Sequence, residues 1–291
     1  MSLSLRSPVL KIGLAAAVIM AATASTMAGV AAASAPRAAA PPPVDHQLCY
    51  NATAATFRVP PPVMLANQFG TFQPAIGPFA FHCNPVVKIT PTATFPITNP
   101  NAHLGCWAIT APTQATHVVQ VTNQFGTGIL ATGQPNLLCL PTWKSLTGPP
   151  RKKPNQPPGL NHFTCYPVKV ASGGYAPPRV MLQDEFASGP VPATVNPVPV
   201  ELCLPTEKIV GTRVFKIINP AMHLLCFPVS PTPIVPKIWD ENQFGTSAVA
   251  IRATNWLCPP STKQIAQTGA TCVQGWPGNA LARAVIGWLA S

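Results

Sequence analysis

Four histidines each stand three residues before a cysteine and four before an aromatic side chain. They are His46 in HQLCY, His103 in HLGCW, His162 in HFTCY and His223 in HLLCF. Imidazole and thiolate are the ligands zinc prefers, so H-x-x-C invites a metal reading. The geometry of the element that must carry it argues otherwise. On a β-strand, side chains three apart point to opposite faces and lie about 10 Å from each other, too far to share one ion. No C-x-x-C or H-x-x-x-H spacing supplies further ligands. No metal and no other cofactor is expected, and the four histidines are read as repeat-structural residues that pack and hydrogen-bond beneath a turn.

The H-x-x-C segments open four copies of one repeat. About twenty residues after each comes a turn signal: NQFG at 67–70, NQFG at 123–126, DEFA at 184–187 and NQFG at 242–245. A closing segment C-x-P-x-x-K follows as CNPVVK, CLPTWK, CLPTEK and CPPSTK. Between these landmarks, stretches such as HVVQVTNQFG and KIWDENQFG are short, rich in Val, Ile and aromatics, and end on an Asn turn signal. They read as strand, turn, strand. With 38 prolines and 19 glycines among 291 residues, long helices are not expected.

The joins between copies suggest how they group. PITNPNAHL and KIINPAMHL connect copies one to two and three to four, whereas TGPPRKKPNQPPG separates copies two and three. The expected fold is all-β: two similar small barrel- or sandwich-like domains, each an internal duplication of a strand-turn-strand repeat with one disulfide per repeat. The boundaries are 1–40 for a signal peptide, 44–146 for the first domain (copies 44–100 and 101–146), 147–159 for the basic linker, 160–263 for the second domain (copies 160–220 and 221–263) and 264–291 for a tail.

Export follows from the amino terminus, where Arg6 and Lys11 precede IGLAAAVIMAATASTMAG and a run of small residues with cleavage positions between 28 and 40. No transmembrane span is expected in the mature chain, since the final LARAVIGWLAS is apolar but too short. In an exported protein, two cysteines per copy form a disulfide framework. Repeat symmetry leaves two connectivities: each copy bridges itself, Cys49 to Cys83, Cys106 to Cys139, Cys165 to Cys203 and Cys226 to Cys258, or partners swap within a domain, as Cys49 to Cys139. The first is preferred. Cys272, the ninth cysteine, is left unpaired or forms an intermolecular disulfide.

Enzyme classes find little support. The first domain has one acidic residue, Asp45, so a carboxylate pair within it is excluded. Asp184-Glu185 and Asp240-Glu241 lie in or beside turns and read as turn formers or solvated groups. No G-x-S-x-G, H-E-x-x-H or phosphate-cradling glycine loop is present, and paired cysteines leave no thiolate nucleophile. No catalytic residue is therefore assigned. Residues that do chemistry are expected where the copies differ, in loops such as TFQPAIGPFAF and ASGPVPATVNPVPV.

The net charge of +11 does not form a nucleic-acid patch: residues 44–146 hold three basic residues against one acidic, and 160–263 hold eight against six, with the dense run Arg151-Lys152-Lys153 between them. The ordered signature H-x-x-C-[YWF], [ND]-[QE]-F-G and C-x-P-x-x-K resembles an uncharacterised family of exported bacterial repeat domains, with DEFA in the third copy as the departure. That resemblance implies a secreted, extracellular or envelope-associated location and transfers no activity. The function expected is a non-enzymatic, disulfide-stabilised module that binds at the cell surface, its two domains acting as a bivalent pair. Its partner would be an envelope glycan or protein. The alternatives are an exported enzyme with its site in the divergent loops and a purely structural envelope protein.

Overall fold

The computed structural model describes residues 44–56, 61–150, 157–232, 234 and 237–266. The expected signal segment, the Arg151–Lys153 run and Cys272 lie outside the described residues, which contain strands and turns but no helix. The first copy supplies β1 (Gln47–Ala54), β2 (Met64–Asn67), β3 (Gly70–Phe72), β4 (Ala75–Pro85), β5 (Val87–Ile89) and β6 (Thr94–Phe95). The second supplies β7 (His103–Thr110), β8 (Val118–Asn123), β9 (Gly126–Thr132) and β10 (Leu137–Ser145). The third supplies β11 (His162–Tyr175), β12 (Val180–Gln183), β13 (Val191–Ala193), β14 (Glu201–Val210) and β15 (Arg213–Phe215). The fourth supplies β16 (His223–Pro228), β17 (Lys237–Asn242), β18 (Gly245–Cys258) and β19 (Pro260–Ile265).

Each H-x-x-C strand pairs antiparallel with the closing strand of its own copy and with the closing strand of the copy before it. The pairings run β1–β4–β7–β10–β11–β14–β16–β18 and return to β1, a ring of eight strands. It is not a clean barrel, because register shifts interrupt β1–β18 and β4–β7 and the longer strands leave the ring to join outer sheets. The described residues from Val44 to Ala266 fall in one compact unit, where two domains were expected. The linker joins two ring neighbours, β10 and β11, with Cys139 opposite Phe163. A stretch that reads as a domain boundary connects two neighbouring strands of one ring.

The hairpins interlace the copies further. β2 of copy one pairs with β14 of copy three, β8 of copy two with β19 of copy four, β12 of copy three with β5 of copy one, and β17 of copy four with β10 of copy two. Every hairpin thus completes its sheet on the copy two places round the ring. Residues 44–146 alone would leave those sheet edges unpaired and the ring half open. The expected outcome is that this fragment, oxidised, gives a collapsed proton–nitrogen NMR spectrum; dispersed resonances and a cooperative unfolding transition would restore the two-domain view.

Side-chain alternation assigns the two faces of the ring. The cysteines point inward, where all eight join Leu104, Leu137, Phe163 and Leu224 in one buried cluster. Their neighbours in sequence point outward into a second core that contains Leu48, Tyr50, Leu138, Leu140, Tyr166, Leu202, Leu204 and Leu257. A ring strand such as β10, with a buried face on either side, therefore reads as a continuous apolar run, LLCLPTW. The disulfides are Cys49–Cys83, Cys106–Cys139, Cys165–Cys203 and Cys226–Cys258, the within-copy set. Cys49 lies 3.9 Å from Cys258, and Cys139 lies 3.9 Å from Cys165, sulfur to sulfur, so neighbouring bridges touch. The cavity they leave is about 10 Å³, at or below what one water needs.

The turn motif explains its own residues. Asn67, Asn123 and Asn242 each accept, through Oδ1, the backbone N–H of the following phenylalanine at 2.8 Å, and Gly70, Gly126 and Gly245 close the turns at φ of 133°, 142° and 114°. Those angles favour glycine. In the third copy Asp184 Oδ1 makes the same bond to Phe186 at 2.9 Å, but Ala187 occupies the glycine position. There the tight hairpin is lost, and β12 instead pairs with β13 across a loop running to Pro190.

Candidate functional site

The four H-x-x-C histidines occupy equivalent positions around the ring. Beside each lies the closing lysine of its own copy, covered by the turn of the next. Lys88 sits 4.8 Å from the centroid of Phe125, Lys144 4.6 Å from Phe186, Lys208 4.9 Å from Phe244 and Lys263 4.7 Å from Phe69. Gln124 hydrogen-bonds His46, Gln243 bonds both Lys208 and His162, and Glu185 pairs with Lys144 and lies 3.3 Å from His103 Nε2. The lysine of C-x-P-x-x-K and the Q-F of N-Q-F-G therefore belong to one cation–π contact made between copies. Among the described residues no three His, Cys, Asp or Glu side chains converge as metal ligands, and all eight repeat thiols are held in disulfides.

One of the four positions is unlike the rest. His82, Asn84 and Asp240 are buried there, joined to Tyr50, His103, Lys144 and Asp184. Asp184 Oδ2 accepts from Tyr50 Oη at 2.8 Å and from Asn84 Nδ2 at 2.7 Å. That fixes the amide so that Asn84 Oδ1 faces three donors: Lys144 Nζ at 2.7 Å, His82 Nε2 at 2.8 Å and His103 Nδ1 at 3.1 Å. His82 Nδ1 lies 2.9 Å from Asp240 Oδ2. An amide oxygen only accepts, so Nε2 of His82 carries a proton, and its Nδ1 meets a carboxylate. Asp240 also stands directly opposite Lys144 in the β10–β17 register, a cross-strand pair of opposite charge.

Alignment of the copies shows what is unusual. Where copy one has His82, the others have Leu138, Leu202 and Leu257; where it has Asn84, they have Leu140, Leu204 and Pro259. Asp240 in copy four corresponds to Leu65, Val121 and Leu182. Three apolar positions have become polar, and the three meet although His82 and Asp240 are 158 residues apart. The acidic pairs are thus corrected: Asp184 does form a turn, but it and Asp240 are 5% and 2% exposed, not solvated. The copy-specific residues lie on strands rather than in the divergent loops expected to hold them. Comparison of the four copies at the positions flanking each closing cysteine was the signal that would have found His82 and Asn84.

Asp240 also lines a groove of about 580 Å³ with Phe79, Trp107, Phe244, Thr56 and Ser247. Trp107 is the aromatic of the second H-x-x-C motif. It meets Phe79 at 90° with centroids 4.9 Å apart and Phe244 at 80° and 5.1 Å. A family model described as a repeat of unknown function (DUF7450) matches residues 103–259, more than half of the chain. The chain belongs to the DUF7450 repeat family. No curated protein and no solved structure matches it.

Burial sets the electrostatics of these DUF7450 repeats. Desolvation pushes Lys88, Lys144 and Lys208 down to about 7 and Lys263 to about 8. Desolvation, reinforced by the adjacent lysine, takes His46 and His162 to about 3, His223 to about 4 and His103 well below its ordinary value. Unfolded lysines hold their protons to about pH 10.4, so from neutral to alkaline pH the unfolded chain binds more protons and stability rises with pH. Glu201, raised to about 8 by burial, opposes this with a single group below pH 8. As pH falls below about 6.5 the unfolded histidines take up protons that the folded ones refuse, and stability falls. The urea midpoint is accordingly expected to be higher at pH 9 than at pH 7 and lowest near pH 4; a flat or inverted profile would remove the buried-lysine account.

Proposed function

We propose that this protein is an exported, non-enzymatic binding protein and that the groove beside Asp240 is where it engages a component of the cell envelope. The observation that carries the reading is the substitution of His82, Asn84 and Asp240 into positions that are apolar in the other copies, at the wall of a groove. Buried polar and charged groups cost stability unless fully partnered, so their concentration at one of four equivalent places is a functional-site signal. The two nitrogens of His82 are both engaged, by Asn84 and Asp240, which leaves the imidazole no free position for general acid–base work on a substrate. Four disulfides in one chain, together with the amino-terminal signal, support export. Because the copies close a single ring, the bivalent pair gives way to one such groove per ring.

The test is binding of the oxidised protein to isolated envelope fractions, compared with a variant carrying His82→Leu, Asn84→Leu and Asp240→Leu, the residue types of the other copies. Sedimentation with the envelope is expected for the natural protein and at least a tenfold loss for the variant. Equal binding by both would move the site elsewhere, and hydrolysis of envelope polymer by the natural protein alone would establish the enzyme alternative.

A further inference from the structure

Resting on the binding reading above, the geometry points to a ligand class: we infer that the groove receives a primary alkylammonium group, its charge against Asp240 and its apolar stem along Trp107 and Phe79. Among the described residues lining the groove, Asp240 is the one charged side chain. The protein as a whole carries +11, so a negative wall is a local feature and it disfavours anionic ligands. Oδ2 of Asp240 is engaged by His82, while Oδ1 has no hydrogen-bond partner although Asp240 is 2% exposed. A buried carboxylate oxygen without a donor is costly. A group that brings its own N–H and a positive charge supplies what is missing.

The aromatic residues favour the same class. Phe79 and Trp107, each 6% exposed, stand perpendicular and form a corner. Such rings attract a cation through the quadrupole while burying an alkyl chain. The Phe244 ring already holds the Lys208 ammonium 4.9 Å from its centroid, which shows the chemistry this wall accepts and leaves Trp107 and Phe79 to face the ligand. Thr56 and Ser247 at the opening are bonded to each other at 3.2 Å and keep oxygen lone pairs for the remaining N–H groups. A neutral sugar would use the hydroxyls and the carboxylate but would bring no positive charge to Asp240.

The experiment uses the full oxidised chain, nitrogen-15 labelled, titrated with n-butylammonium chloride and with Nα-acetyl-lysine amide as a peptide-borne amine, against n-butanol and N-acetylglucosamine. Saturable millimolar binding of both amines is expected, with shifts at the Trp107 indole N–H and the Thr246 and Ser247 amides, and at least tenfold weaker binding by n-butanol. Binding of the free amine without the lysine amide would assign the groove to small amines rather than to a peptide and keep the ligand class. Asp240→Asn is expected to weaken the amine at least tenfold, and the natural protein's shift pattern decides the matter should that variant not fold. Equal binding by n-butanol, or N-acetylglucosamine binding in place of the amines, would overturn the assignment. If no amine binds while envelope sedimentation is still lost in the triple leucine variant, the ligand class fails and the binding reading stands; if neither occurs, both fail.

Discussion

Asp240→Leu alone is expected to lower stability by about 3–5 kcal/mol, whereas Asp240→Leu combined with His82→Leu and Asn84→Leu is expected to be neutral or to raise it by about 1–4 kcal/mol. Removing only the carboxylate leaves the His82 imidazole, fully buried, with no partner at Nδ1. It also takes the opposite charge away from Lys144. Removing all three returns the site to the residue types that the other copies already accommodate at Leu65, Leu138 and Leu140. Lys144 would keep its ion pair with Glu185 and its place against the Phe186 ring. Urea denaturation of the single and triple variants checks the order. A triple variant less stable than the single one would mean that the polar cluster holds the fold together, and the functional argument for it would lose its main support.

Loss of the disulfides is the second large effect. Their cysteines are separated by 34, 33, 38 and 32 residues, and loops of that length contribute about 4 kcal/mol each on the chain-entropy estimate. A paired Cys49→Ala and Cys83→Ala replacement should therefore cost about that much, and more where the neighbouring bridge loses its packing, since Cys49 touches Cys258. All eight sulfurs face the ring interior, with the cysteines at most 5% exposed. A thiol reductant must wait for the ring to open, because exchange requires direct attack on sulfur. The expected result is that the native protein resists dithiothreitol for hours at 25 °C and is reduced within minutes in denaturant, and that the fully reduced chain does not refold. Rapid reduction under native conditions would show a ring that opens locally.

What was legible in the sequence was everything with a short range or a fixed period. Three ordered landmarks, each repeated four times, revealed the copies; Pro and Gly content with Val-rich runs revealed strands; two cysteines per copy revealed a disulfide framework with two connectivities, of which the structure holds the within-copy one, Cys49 opposite Cys83 in a single antiparallel register. Alternation along each strand was likewise enough to separate cysteine from its outward neighbours. Tertiary structure decided the rest. Nothing in HVVQVTNQFG names β19 as its sheet partner, because backbone pairing is nearly independent of side-chain identity, and a Pro-rich stretch of sequence between ring neighbours reads the same as one between domains. His82 and Asp240 are individually unremarkable at 158 residues apart. They become a pair only because the fourth copy's hairpin crosses to the second and the ring closes on the first, so that long-range strand pairing, not local pattern, places the carboxylate against the imidazole.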